Sequence, residues 1–183
     1  MIGKVIFKTY NPDPLSLLPP SNLDLSELMK SPDLKGDLIT AAEVHFLLSE
    51  AAARGYSVGG TAEAYYNSAI GVSMDEWGVS ATDTAAYLAL TEVAYATAAG
   101  DWKQKIGSQK WVAMFNNGFE GWTAWRLLDL GLNGPVVDGV TLDIPTRFLY
   151  PTSEATLNGS QYDSAASAIG GDTKTTKIFW DVN

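Results

Sequence analysis

From Ile39 onward the chain changes from proline-broken text to a sequence with a helical period. "ITAAEVHFLLSEAAARG" sets Val44, Leu47, Leu48 and Ala51 at i, i+3, i+4 and i+7, the spacing that lines one face of a helix with apolar side chains. Thr40 stands before the run as an N-cap, Glu43 follows three residues later, and Gly55 closes it. After "YSVGG", Tyr66, Ala69, Ile70, Met74 and Trp77 keep the period from Thr61 to Gly78, predicting a second helix folded back antiparallel on the first across a short connection. "SATDTAAYLALTEVAYATAAG" is alanine-rich and helix-forming. "DWKQKIGSQKWVAMFNNGFEGWTAWRLLDLG" predicts one or two further helices, interrupted or bent at Asn116-Asn117-Gly118. Within it Trp111, Phe115, Phe119 and Trp122 fall on one continuous helical stripe, so all four are expected to face inward.

The flanks read differently. Residues 1–38 are a proline-rich connecting segment, with "KVIFKTY" as a short strand and the rest too rich in Pro, Ser, Asn and Asp for helix or sheet. Residues 39–183 are the helical region. Beyond Gly131 the periodicity dissolves into Gly, Pro, Asn and Ser, with one small helix around Gln161 to Ile169. Phe148, Leu149, Tyr150, Phe179 and Trp180 are too apolar to leave in water, which predicts cover for them. The expected class is therefore mainly α: tetratricopeptide-like antiparallel helix pairs with a long irregular C-terminal segment packed over them. The repeat character rests on Val44, Leu47, Leu48 and Ala51 in the first helix and the small–aromatic–small set Ala62, Tyr66 and Ala69 in the second. Leu48 stands where such repeats carry a small residue, and the loop is longer than theirs.

Composition narrows the partners. The 183 residues, 46% apolar and 18% charged, make a globular chain with one sizeable core. Twelve Lys and Arg against 21 Asp and Glu leave a net charge of −9, which repels phosphate backbones and anionic lipid, so nucleic acid is not an expected partner. The absence of cysteine removes disulfides, thiolate metal sites and cysteine nucleophiles. No apolar run approaches the roughly 20 residues that cross a bilayer, and the start carries no signal-peptide pattern.

Candidate chemistry is sparse. His45 is the one histidine, which excludes a two-histidine zinc site and reads as structural. "GYSVGGT" and "GGDTKTT" lack the full phosphate-loop pattern and read as turns. Among the carboxylates, Glu43 caps its helix, Glu50 is solvated or paired, and Glu120, which with Asp129 flanks the aromatic stretch, hydrogen-bonds locally. No pair is placed for glycoside hydrolysis. No catalytic residue, metal ligand or cofactor pattern results. An arginine beside a tryptophan, as Arg126 is beside Trp125, can stack on the ring or bind a carboxylate. Trp77, just before Gly78, and Trp102, just after Gly100-Asp101, sit at helix margins and are the candidate ligand-contacting residues.

Five blocks in fixed order then carry a family likeness: "AEVHFLLSEAAARG", "AEAYYNSAIGVSMDEWG", "IGSQKWVAMFNNGFEGWTAWRLLDLG", "IPTRFLYPTSEATLN" and "GGDTKTTKIFWD". Over residues 39 to 181 the chain resembles the C-terminal part of the SusD/RagB-type outer-membrane lipoproteins of Gram-negative glycan foragers. The resemblance implies a tetratricopeptide-like scaffold and a non-enzymatic surface protein that binds oligosaccharide, or in some members peptide, and delivers it to a TonB-dependent transporter. Membrane association would run only through a lipid anchor that this chain does not carry. Family members are several hundred residues long, so the chain looks like a fragment, and no glycan-contacting residue transfers by position. Two rival readings stand beside this one: a helical-repeat scaffold whose partner is protein alone, and a glycosidase suggested by abundant carboxylates.

Overall fold

The computed structural model describes residues 36–130, 134, 136–179 and 181. The strand expected at "KVIFKTY" and nearly all of the proline-rich segment lie outside these residues. The chain divides between Leu130 and Gly131 into two compact units.

Helices α1 (Ala41–Ala53), α2 (Ala62–Glu76), α3 (Ala81–Leu88), α4 (Trp102–Ala113) and α5 (Gly118–Leu128) build the first unit. Their starts are written locally. The Thr40 hydroxyl accepts the Glu43 N–H at 3.1 Å and the Thr61 hydroxyl that of Ala64 at 3.1 Å, each satisfying an amide that the helix leaves without a partner. Asp101 and Gln104 form a full capping box: the Asp101 carboxylate accepts from the Lys103 and Gln104 amides and the Gln104 side chain accepts from that of Asp101. Gly55 and Gly78 follow α1 and α2 with φ of 89° and 72°, the left-handed step that ends a helix without a Cβ clash.

Antiparallel pairing of α1 and α2 follows from two contacts. The Ser49 hydroxyl donates to the Ala62 carbonyl at 2.7 Å and His45 faces Tyr65 at 6.2 Å, so the partners descend one helix as they climb the other. The buried face of α1 is nevertheless not the one the periodicity suggests. Ala42, Glu43, Phe46, Ser49 and Glu50 are buried, whereas Val44 and Leu47 are 41% and 42% exposed. The reason is tertiary: α2 and α4 both pack on α1, and the small side chains of Ala42 and Ser49 admit them where the branched stripe would hold them off. In α2 the small–aromatic–small set is nearer its expected role, with Tyr66 and Ala69 buried and Ala62 partly so.

The core gathers Phe46, Tyr66, Ala69, Ile70, Val93 and Ile106. Val93 comes from the alanine-rich stretch, which is helical only to Leu88 and then runs through successive turns as far as Gly100. Two bonds explain the departure: the Val93 carbonyl accepts the Tyr66 hydroxyl at 2.7 Å, and the Thr97 hydroxyl donates to the Thr91 carbonyl at 2.7 Å, each drawing a backbone carbonyl to a side-chain hydroxyl. Tyr66→Phe leaves that buried carbonyl without its donor, and urea unfolding is expected to show a loss of about 1–2 kcal/mol with the fold retained.

Helices α4 and α5 form a second antiparallel pair, joined across the break at Asn116-Asn117. Gly107 lets them close, since a Cβ there would lie 2.1 Å from Leu130 Cδ2 and 3.0 Å from Leu128 Cβ. Trp111 and Trp125 meet edge to face with centroids 5.2 Å apart. The break also ends the aromatic stripe. Asn117 restarts the helix by accepting the Glu120 N–H, and α5 turns Gly121, Ala124 and Leu128 inward. Phe119 and Trp122, expected inside, are 89% and 45% exposed.

The second unit carries structure that the loss of periodicity concealed. β1 (Val136–Val137) and β2 (Val140–Thr141) pair antiparallel across Asp138-Gly139, both at positive φ, the two-residue turn that matches strand twist. Helix α6 (Thr152–Leu157) leads into α7 (Gly159–Ala168), the latter close to the small helix expected at 161–169. The "GGDTKTT" loop is a turn whose Asp172 organises the unit. Its carboxylate accepts from Arg147 at 2.6 Å, from the Tyr150 N–H at 3.2 Å and from the Tyr162 hydroxyl at 3.2 Å. Burial pushes that carboxyl up, but Arg147, the Tyr150 amide and the Tyr162 hydroxyl together hold it below the ordinary range. Phe148, Leu149 and Phe179 are exposed, against expectation, while Tyr150 is half-buried. Arg147 takes the inward place beside Phe148, and Trp180 lies outside the described residues.

Candidate ligand-binding surface

Trp77 ends α2 as its C-cap residue, its N–H donating to the Ser73 carbonyl. The indole is half-buried, 4.7 Å from the Phe115 ring at 47°, which joins the end of α2 to the turn after α4. On either side of it in sequence, Asp75 and Val79 line a cleft of about 320 Å³ together with Gly71, Ala81, Thr84, Ala85 and Leu88. Its floor is apolar, and Asp75 and Thr84 supply the polar side chains. A few polar groups on an apolar surface is the usual make-up of a small-molecule site, and the size is that of the smaller ones.

Trp102 is placed differently. It opens α4, packs its inner side on the core and carries the Arg54 guanidinium 5.1 Å above the ring. Arg54 is held there by Glu50 at 2.8 Å, so Glu50 is paired, as the sequence allowed. The structure does not bring the two tryptophans together. Trp77 meets Phe115 just past one end of α4 and Trp102 begins the other, roughly 18 Å apart at 1.5 Å per residue.

Residue typing by sequence missed the buried charges. Glu43 does more than cap: its carboxyl is buried, and burial together with the Glu120 charge pushes it above the ordinary glutamate range, while the Lys110 charge and the Thr40 amide oppose them. Lys110 of α4 is buried too, and its charge favours the ionised form of Glu43. Only the singular burial of a lysine on an otherwise apolar face could have signalled this, and nothing in the sequence marks which face is buried.

A family model described as "Starch-binding associating with outer membrane" matches residues 13–151. The chain belongs to the SusD-like family. Similar solved structures include a Bacteroidetes AC2a SusD-like protein, 33% identical, covering 81% of this chain and 31% of its own, with a TM-score of 0.64. A chitin-binding SusD homologue from Flavobacterium johnsoniae is 31% identical over 80% of this chain and 36% of its own, with a TM-score of 0.56. A SusD homologue from Bacteroides thetaiotaomicron is 27% identical over 79% and 38%, with a TM-score of 0.58. No curated protein matches the chain significantly. The SusD-like chain spans about a third of the length of the structures it matches. Among its described residues no helix is long and apolar enough to cross a membrane.

Proposed function

We propose that this SusD-like chain is part of a non-enzymatic, cell-surface glycan-binding component of an outer-membrane uptake complex, which delivers oligosaccharide to a TonB-dependent transporter. The family match over residues 13–151 carries this reading, and the 31% identity to a chitin-binding homologue supports sugar as the ligand. The outer-membrane location comes with the family, as does the lipid anchor that would hold the whole protein there. Of the two candidate tryptophans, Trp77 is the better candidate to stack on a sugar ring, since its sequence neighbours Asp75 and Val79 line a cleft that offers a carboxylate and the Thr84 hydroxyl for the sugar's own hydroxyls. Trp102 already carries Arg54 on its ring.

Calorimetry of the full chain against starch and chitin oligosaccharides tests the reading, with saturable binding expected for at least one. Trp77→Ala is expected to weaken that binding roughly 3- to 10-fold, the equivalent of a lost aromatic stack, while Trp102→Ala acts on stability. Sustained release of reducing sugar would overturn the non-enzymatic assignment. A second reading, a protein-interaction scaffold without sugar binding, draws on the exposed Phe119, Trp122, Val44 and Leu47 of the helical unit. Co-purification with a barrel transporter, combined with no saturable sugar binding, would favour it.

A further inference from the structure

Gly71 sits inside α2, where almost any residue other than glycine or proline would make the helix more stable. Packing within the chain does not account for it. A Cβ added at Gly107 would strike Leu130, but a Cβ added at Gly71 would meet nothing within 4 Å among the described residues. What Gly71 does border is the cleft of about 320 Å³ between α2 and α3, which the missing side chain keeps open. Val79, Ala81, Ala85 and Leu88 give that cleft a short aliphatic lining, and Asp75 and Thr84 add two polar side chains. Asp75 is the single ionisable group among the lining residues; Asp83, nearby in sequence, instead accepts the Ser80 hydroxyl at 2.6 Å where α3 begins. An ionised carboxylate only accepts hydrogen bonds, whereas a threonine hydroxyl can donate one.

Resting on the reading of this chain as a glycan binder, we propose that the α2–α3 cleft is a subsite for an acetamido sugar, one N-acetylhexosamine unit of an oligosaccharide. A plain hexose carries hydroxyls at nearly every ring carbon, and an aliphatic lining leaves most of them without partners. The acetamido group matches the lining part by part. Its N–H suits the Asp75 carboxylate, its carbonyl oxygen takes the Thr84 hydroxyl, and its methyl fills the space that Gly71 leaves beside Ala81, Ala85 and Leu88. Charge sets aside the related sugars. A carboxylated sugar would bring its anion against Asp75, in a chain whose net charge is already −9. A free amino sugar would satisfy Asp75 but would press an ammonium group against aliphatic side chains and bring no methyl to cover them. The volume is at the small end for ligand sites, so the cleft holds one sugar unit with its substituent and not a run of them.

Calorimetry of the full chain at neutral pH with trimers of N-acetylglucosamine, glucosamine and glucose tests the subsite. The acetylated trimer is expected to bind about tenfold more tightly than either of the others, the combined effect of one buried methyl and one further hydrogen bond. Gly71→Leu fills the cleft and removes a glycine from a helix, so its unfolding temperature is expected to stay level or rise while binding of the acetylated trimer is lost. Thr84→Val keeps the shape, deletes the hydroxyl and is expected to weaken that binding roughly threefold. Should Gly71→Leu not fold, Ala85→Leu closes the same cleft from α3 and is read in the same way. Equal affinity for the three trimers, or binding of the acetylated trimer that the cleft-filling variant leaves unchanged, overturns the subsite and leaves the glycan reading standing, because sugar is still bound. Binding of none of the trimers also overturns the subsite, and the glycan reading falls with it only if longer starch and chitin oligosaccharides fail to bind as well.

Discussion

Phe46→Ala is expected to lower the free energy of unfolding by about 3–5 kcal/mol, while Leu47→Ala one position along costs less than about 1 kcal/mol. Phe46 is fully buried in the core with Tyr66, Ile70 and Ile106, and truncating it removes a large apolar surface and leaves a cavity that helices packed from two sides cannot close. Leu47 is 42% exposed and loses little contact. Urea denaturation of both variants, with the m-value checked for constancy, measures the contrast. Equal costs for the two substitutions would mean that α1 is rotated from the orientation described and buries the Val44–Leu47 stripe after all.

The second large effect is expected at Lys110. Lys110→Met keeps most of the side chain's packing volume but removes a buried ammonium whose charge favours the ionised Glu43 carboxyl, and unpairing a buried charge costs about 3 kcal/mol. The loss depends on pH in a direction that follows from Glu43. Below the ordinary glutamate range Glu43 holds its proton and the deletion leaves no charge stranded. As pH rises, Glu43 must ionise without the Lys110 charge that favours its ionised form, and the deficit grows. Thermal unfolding of Lys110→Met and the unaltered protein at pH 5 and pH 8 therefore should show a wider gap at pH 8. A gap that is constant with pH would assign Lys110 a packing role only.

These expectations could not all be read from the letters. The caps could: Thr40, Thr61 and Asp101 announce α1, α2 and α4 because each satisfies a backbone amide two or three residues away. The break at Asn116-Asn117-Gly118 was visible for the same reason, but its effect on the aromatic stripe was not. A periodicity counted through Asn117 treats Trp111 and Trp122 as one face, whereas two separate helices set that face anew on each side. The hairpin at 136–141 had a local mark, Asp-Gly between valines, and only its brevity hid it among the irregular residues. The candidate tryptophans show the division in one pair. Both are at helix margins, as their neighbours Gly78 and Asp101 imply, yet Arg54, 48 positions earlier, covers Trp102, and Phe115, 38 positions later, packs on Trp77.

What the sequence determined by itself is where helices start and stop, that antiparallel pairs form, and the family to which the chain belongs. Backbone hydrogen bonds and caps act within a few residues, and ordered blocks of residues survive as a signature of the packed helices. What only the tertiary structure decided is which side of each helix is inside. Helix α1 presents two amphipathic choices, and the close approach of α2 and α4 over Ala42 and Ser49 selects the one that buries Phe46 and Glu43. Burial is a property of distant neighbours, and it turns an ordinary first-turn glutamate into a proton-holding group.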